Sequence, residues 1–297
     1  MPKDQTDIPM VYNATSSGPN DAVYAPWFAL PTVELHLRAV DVNTYMGDYN
    51  IGKMFLNFVL DVNIREYAGA DFSELLKEEA GGRKLWERWE RLLMGYCPSP
   101  YLTTREMKKV EARTKGNRHY QDNVFRWEKI VLNLPGKTDY NPSKPWVYKV
   151  RTDGVIAGNL FSYIDDYQNT GPSKQKCWNG GHRTGCSFTF HGIQDVARKR
   201  REPSQEPGAW ADTIIHMHNR RVMMLASQMK WEKTKAWISW LEGELNDGDD
   251  INFKCLEKCQ GFLIYVSRTY RPFIPYLKVF IKQLMGGGII AIRRGGS

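Results

Sequence analysis

The sequence predicts an α+β chain: a mixed first part built on antiparallel strands, then a helical end. Two observations carry this. From 146 to 171, "WVYKVRTDGVIAGNLFSYIDDYQNTG" sets β-branched and aromatic runs between turn signals at Thr152-Asp153-Gly154 and Asp165-Asp166. From 227, "SQMKWEKTKAWISWLEGELNDGDD" places Trp231, Ile238, Leu241 and Leu245 on one helical stripe.

The other elements follow in order. Residues 1–40, rich in Pro, Asp, Asn and Ser, read as loops with short extended pieces. "AVDVNTYMGDYNIGKMFLNFVL" predicts a buried strand ending near Asn50, then a helix carrying Met54, Phe55 and Phe58. "DFSELLKEEAGGRKLWERWERLLMG" predicts a helix with a Gly-Gly break. Asp71 is its N-cap, Glu74 stands at capping-box spacing, and Trp86, Trp89, Leu92 and Leu93 share a face. "CPSPY" is a turn, because each Pro restricts the residue before it. "REMKKVEARTK" is a basic helix, and 114–145 reads as polar loop. "VARKRREPSQEPGAW" is a basic, Pro-punctuated connector. Two more helical segments are broken at Pro272 and Pro275, and a frayed tail starts at about 286.

Composition narrows the partners. The net charge of +8 and pI near 9.1 favour an anionic partner such as nucleic acid. Ten Trp and fifteen Tyr suit base stacking as well as a core. Five cysteines leave one unpaired and fit a reducing compartment. "MPKDQTDIPM" is no signal peptide, and the longest apolar runs, "GFLIYV" and "MFLNFVL", fall far short of the roughly 20 residues of a membrane span. The expectation is a cytoplasmic or nuclear protein, not secreted and without a membrane partner. Asn13-Ala14-Thr15 matches a glycosylation acceptor, but nothing else supports a secretory route.

Asp165 and Asp166 are the first chemical candidates. Adjacent carboxylates repel unless a cation lies between them, and oxygen ligands suit Mg²⁺. Paired metal ions stabilise the attacking and leaving oxygens of phosphoryl transfer.

Four segments in order give this pair a context. "YIDD" resembles the catalytic motif of reverse transcriptases, the RNA-directed DNA polymerases. "GYCPSPY", Gly95 to Tyr101, resembles their Gly-x-x-x-(Ser/Ala)-Pro segment. "PTVELHLRAVDVNTYMGDYNIGKMFLNF" resembles the first catalytic strand and its helix. "GIQDVARKRREPSQEPGAW" resembles the Lys motif and the hairpin that grips the primer. The resemblance is to DIRS-like (tyrosine-recombinase) and related retrotransposons and spans about residues 1 to 280. It implies a right-hand polymerase-like fold: fingers and palm over 1–215, with an antiparallel palm sheet, and a partial helical thumb over 216–297. The implied function is two-metal nucleotidyl transfer with Mg²⁺ or Mn²⁺ on an RNA or DNA template-primer, using dNTPs.

Residue by residue, the resemblance implies that Asp165 ligates metal and Asp166 supports it. Phe55 falls on the steric gate that excludes a ribose 2′-hydroxyl. Gly95, Ser99 and Pro100 line the template and nucleotide site. Trp210 and Ala211 belong to the primer grip. Lys199 matches a lysine that protonates the pyrophosphate leaving group; it also reads as one member of the solvated run "RKRR". The departures are specific. The first catalytic Asp is expected five residues before Phe55, and Asn50 stands there. A neutral amide supplies none of the charge that offsets two cations. Asp48 lies two residues earlier, on the same face of a strand but about 6.5 Å away. A basic triphosphate clamp is expected near "DIPMVY", where Pro9 stands; Lys3 is the remaining candidate. Asp212 replaces the Gly expected after "AWA", and Lys53 stands where an acidic residue is common.

The remaining clusters carry weaker signals. Cys177, His182, Cys186 and His191 match no common zinc spacing, and no zinc site is expected. Cys255 and Cys259 read as helix-face residues, "NDGDD" as an inter-helix turn, and His216 and His218 as hairpin surface. Two functions stand: a reverse transcriptase weakened or inactivated at Asn50, or a non-catalytic nucleic-acid-binding module derived from a palm. The module would hold its polymer through Lys108, Lys109, Arg198, Lys199, Arg200 and Arg201.

Overall fold

The computed structural model describes residues 11–30, 33–74, 76, 81–219, 221–247, 253–267, 269–270 and 273–278. The expected tail from 286, the break at Pro272, and Lys3 and Pro9 lie outside these residues. The chain is α+β, as expected, and divides into two compact units. The first holds Met1–Thr32, Thr44–Leu132 and Val147–Ser204; the second holds Val33–Asn43, Asn133–Trp146 and Gln205–Ser297. Segment 205–215, placed before the boundary in the sequence reading, thus groups with the helical end.

The first unit is organised by a four-stranded sheet. Strands β1 (Tyr45–Asn50), β6 (Asn159–Tyr163), β7 (Asp166–Gly171) and β8 (Arg201–Ser204) lie in the order β6-β7-β1-β8. β1 contains Gly, Asp and Asn, poor strand formers, yet pairs on both edges. Cross-strand pairing outweighs its propensity. The basic connector thus contains strand β8, which the sequence reading missed.

The two long helices among the described residues of this unit are α3 (Ser99–Lys115) and α4 (Lys174–Phe190). Helices α1 (Pro19–Ala22) and α2 (Val33–Leu37) are single turns. The core gathers Ile51, Met107, Val110, Phe125, Leu160, Tyr167 and Phe188 from sheet, helices and loop. α4 comes close to the sheet because it carries glycines there. A Cβ on Gly181 would strike the Tyr49 hydroxyl, and one on Gly171 of β7 would meet the backbone of Cys177. Burial pushes the Tyr49 hydroxyl up to about 12.

Three expectations are corrected here. Where the C-terminal half of a helix was expected, the chain is extended: β2 (Gly69–Asp71) pairs with β3 (Trp86–Arg88), and Gly81 and Gly82 between them have positive φ, while 75 and 77–80 lie outside the described residues. Asp71 caps an Asx turn onto Ser73 N–H instead. Leu92 and Leu93 are buried with Trp89 against them, while Trp86 is exposed, so the proposed common face does not exist. Strand pairing has overridden helix propensity. The helix after β1 is only a 3₁₀ turn, Met54–Asn57, entered through Lys53 at φ 47. The polar loop 114–145 contains β4 (Lys129–Leu132), paired with β5 (Val147–Val150).

In the second unit, β9 (Gly208–Trp210), β10 (Thr213–His218) and β11 (Arg221–Ala226) form a sheet in the order β11-β10-β9. Helices α5 (Gln228–Asp247) and α6 (Phe253–Ser267) follow, then a helical turn at 273–278. Pro275 lies inside that turn, in its first residues, where a missing N–H costs nothing. Cys259, Leu263 and Leu277 form its core with Trp237, Ile238 and Trp240 packed against them. No helix among the described residues is long and apolar enough to cross a membrane.

Candidate functional site

The hairpin β6–β7 turns at Ile164 and Asp165, and Tyr163 pairs with Asp166. Asp166 is therefore the first residue of β7 rather than part of the turn. Ile164 has φ 54, a region that costs a β-branched residue on the order of 1 kcal/mol. Its side chain packs against the core, which offsets that cost. The result presents both aspartates at the end of the sheet.

β1 lies beside β7, and Asn50 is the direct partner of Asp166. The Asn50 Nδ2 donates to Asp166 Oδ1 at 2.7 Å and to Asp165 Oδ2 at 3.3 Å. The Asn50 Oδ1 accepts from Lys199 Nζ at 3.0 Å. Backbone bonds hold this corner: Ile51 N–H to Asp165 O at 2.8 Å, and Val196 N–H to Asn50 O at 2.9 Å. Asn57 ties the next turn to the Lys199 segment, donating to Gly52 O and accepting from Gln194 N–H. Residues separated by 115 and 149 positions thus meet through Asn50.

The amide stands between the two carboxylates, with its two N–H groups on their oxygens. A bridging cation would neutralise the same oxygens with full charge. The donor set for a hard cation is two carboxylates, suited to Mg²⁺ or Mn²⁺, with a third position that presents N–H rather than oxygen. Among the described residues, no group of three or more His, Cys, Asp or Glu is gathered to hold a metal ion.

Asp48 takes a different direction. Its carboxylate accepts from Gln168 Nε2 at 2.8 Å and pairs with Arg201 Nη1 at 3.1 Å. Burial raises its pKa above the usual carboxylate range, outweighing Arg201 and Gln168. It does not join the groups gathered on Asp165 and Asp166.

The other expected site residues lie on separate elements. Phe55 lies on the turn after β1 and packs against Leu60, Ala68, Leu92 and Leu93. Gly95 has φ 99, and a Cβ there would run into the Tyr12 carbonyl. Ser99 is fully buried and donates its hydroxyl to Leu93 O at 2.9 Å, so it secures the start of α3. Pro100 is exposed on the first turn of α3. In the second unit, Trp210 and Ala211 are buried at the end of β9. Ala211 and Asp212 both have positive φ, the two-residue turn that joins β9 to β10. This is why a Gly suits that position; Asp tolerates it too. Tyr265 Oη donates to the Asp212 carboxylate at 2.9 Å.

The Cys/His set is split. Cys177 is buried and its thiol donates to Asn169 O at 3.4 Å, with burial pushing its pKa up to about 12. Cys186 is exposed and touches the His182 ring, which stacks on Trp178.

A brace behind the hairpin was not foreseen. Glu111 of α3 accepts from Lys108 Nζ at 2.7 Å, Lys115 Nζ at 2.6 Å and the Ser162 hydroxyl at 2.7 Å. Ser162 stands on β6, three residues before Asp165. Burial pushes the Glu111 pKa up, but Lys115 and Lys108 outweigh it and hold the pKa below its ordinary value. The sequence signal was an i, i+3, i+4 charge pattern along a helix.

No family model and no curated protein matches the sequence. Solved structures do match in fold. One is a foamy viral protease-reverse transcriptase in complex with double-stranded DNA, at a TM-score of 0.56 and 13% identity. The match covers 95% of this chain and 38% of that one, so this chain spans well under half of that protein's length. The likeness shows a reverse transcriptase-like fold.

Proposed function

We propose that the chain is the fingers, palm and partial thumb of an RNA-directed DNA polymerase of retrotransposon type, with its palm site altered at Asn50. The observation that carries this is the meeting of Asp165, Asp166, residue 50 and Lys199 at one sheet corner. The reverse transcriptase-like fold supports it. Asp165 and Asp166 would hold Mg²⁺ or Mn²⁺, which supplies charge neutralisation at the oxygens of nucleotidyl transfer. Lys199 would donate a proton beside that site, Phe55 would serve as the gate, and Trp210 and Ala211 would form the primer grip. The partner is a template-primer with dNTPs, in the cytosol or nucleus.

Asn50 favours a second reading, the non-catalytic palm that binds nucleic acid. Its amide already bonds one oxygen of each hairpin carboxylate, and two acids without a third hold cations less strongly. Primer extension on an RNA template with Mg²⁺ or Mn²⁺ separates the two. Extension that stops in Asp165→Ala supports the polymerase. Extension that survives Asp165→Ala contradicts the site. Salt-dependent binding with no extension, even in Asn50→Asp, leaves the binding module.

A further inference from the structure

We propose that Arg118, Trp127 and Lys149 form a second site, which grips the phosphodiester backbone of nucleic acid. The Arg118 guanidinium lies 4.0 Å from the Trp127 ring centroid, and the Lys149 ammonium lies 5.0 Å from the same centroid. Two cations thus share one indole. Each is attracted to the ring, but they repel one another.

The arrangement is built, not incidental. α3 ends at Lys115, and the buried Asn123 clamps the following loop, donating to Lys115 O at 2.7 Å and Asn117 O at 2.8 Å. Trp127 N–H bonds to Arg118 O at 3.2 Å, which brings ring and guanidinium together. Lys149 sits in β5, opposite Ile130 of β4, and its carbonyl accepts from Ala157 N–H at 2.8 Å. Lys149 is half-buried.

The charge is not balanced inside the molecule. Among the described residues, neither Arg118 nor Lys149 forms an ion pair with a carboxylate. Glu111, the acid that acts on Lys149, is already bonded to Lys108 and Lys115. Burial, with Lys115 and Arg118 nearby, depresses the Lys149 pKa. An anion bound to the two cations would offset both their mutual repulsion and the cost of burying the Lys149 charge. Phosphate oxygens fit Arg and Lys, and the exposed Tyr120 on the same loop offers a stacking face for a base. The choice of a nucleic-acid phosphate over free phosphate rests on the polymerase-derived reading above.

The test uses the full chain and a fluorescent RNA–DNA duplex titrated over a salt series. Arg118→Gln/Lys149→Met keeps the side-chain stems and removes both charges. We expect the slope of log K against log salt to fall by about 1 to 2, since each phosphate contact contributes roughly 0.9. Affinity should fall at least tenfold at low salt, while Lys235→Gln should change neither. Unchanged slope and affinity would overturn the site. Acylation mapping of Lys149 is the second arm. Duplex should protect it and inorganic phosphate at equal phosphate concentration should not. Protection by inorganic phosphate alone would overturn the nucleic-acid assignment. Mn²⁺ binding at the Asp165 corner, measured on the same variants, should not move, so failure here is distinct from failure of the polymerase reading.

Discussion

The corner at Asn50 and the ring at Trp127 handle charge in opposite ways. At the first, like charges are brought together and then satisfied from within: one amide bonds both carboxylates and takes a lysine on its oxygen. At the second, like charges are brought together and left without a carboxylate among the described residues. The difference teaches where an outside partner is required. A bridging amide eases the repulsion between two acids from within, whereas two cations with no carboxylate beside them are poised for a counter-ion.

The largest way to break this contrast is to reopen the closed corner. Asn50→Asp replaces two donors with a third acid and leaves three carboxylates facing Lys199. Primer extension should then rise by roughly 100-fold or more, about 3 kcal/mol of transition-state stabilisation at 1.36 kcal/mol per tenfold. An unchanged rate would separate residue 50 from the chemistry.

Asp48 offers a control of the opposite kind, since it is an acid of the same strand closed by an ion pair. Asp48→Ala leaves Arg201 without that carboxylate and should lower stability by about 3 kcal/mol in a denaturant melt. Mn²⁺ affinity should stay constant. A large loss of Mn²⁺ with no loss of stability would return Asp48 to the metal site.

The smallest expected effect sharpens the contrast at the open end. Glu111→Gln removes the acid bonded to Lys108 and Lys115, so duplex binding should strengthen a few-fold. The folded Glu111 pKa is depressed, so its stabilisation is present above the unfolded value, 4.5, and is lost as pH falls through the folded value. The wild type should therefore lose its stability advantage over Glu111→Gln on acidification below 4.5. An advantage that grew on acidification would reverse the assigned sign.

The hairpin and β1 were legible because their signals are local: turn residues between apolar, β-branched runs. So was the Asn50 departure, because it depends on counting from one motif residue. Strands β2, β3 and β4 were not, since "WERWERLL" carries helix formers and only pairing with Gly69–Asp71 makes it extended. "KIVL" was a short β-branched run inside a polar stretch and could have been read as a strand. The direction taken by Asp48 was hidden because Gln168 and Arg201 are 120 and 153 residues away. The Trp127 cluster was half visible in "RHYQDNVFRWEK"; Lys149 joins it only through the β4–β5 pairing.

The central claim is that the Asn50 amide occupies the place of a cation between Asp165 and Asp166. Mn²⁺ titration of the wild type and Asn50→Asp, followed by the electron paramagnetic resonance of free Mn²⁺, tests it most directly. The account predicts at least tenfold tighter binding in Asn50→Asp, abolished when Asp165→Ala is added. Equal affinity in the two proteins, or tight binding that survives Asp165→Ala, would contradict it.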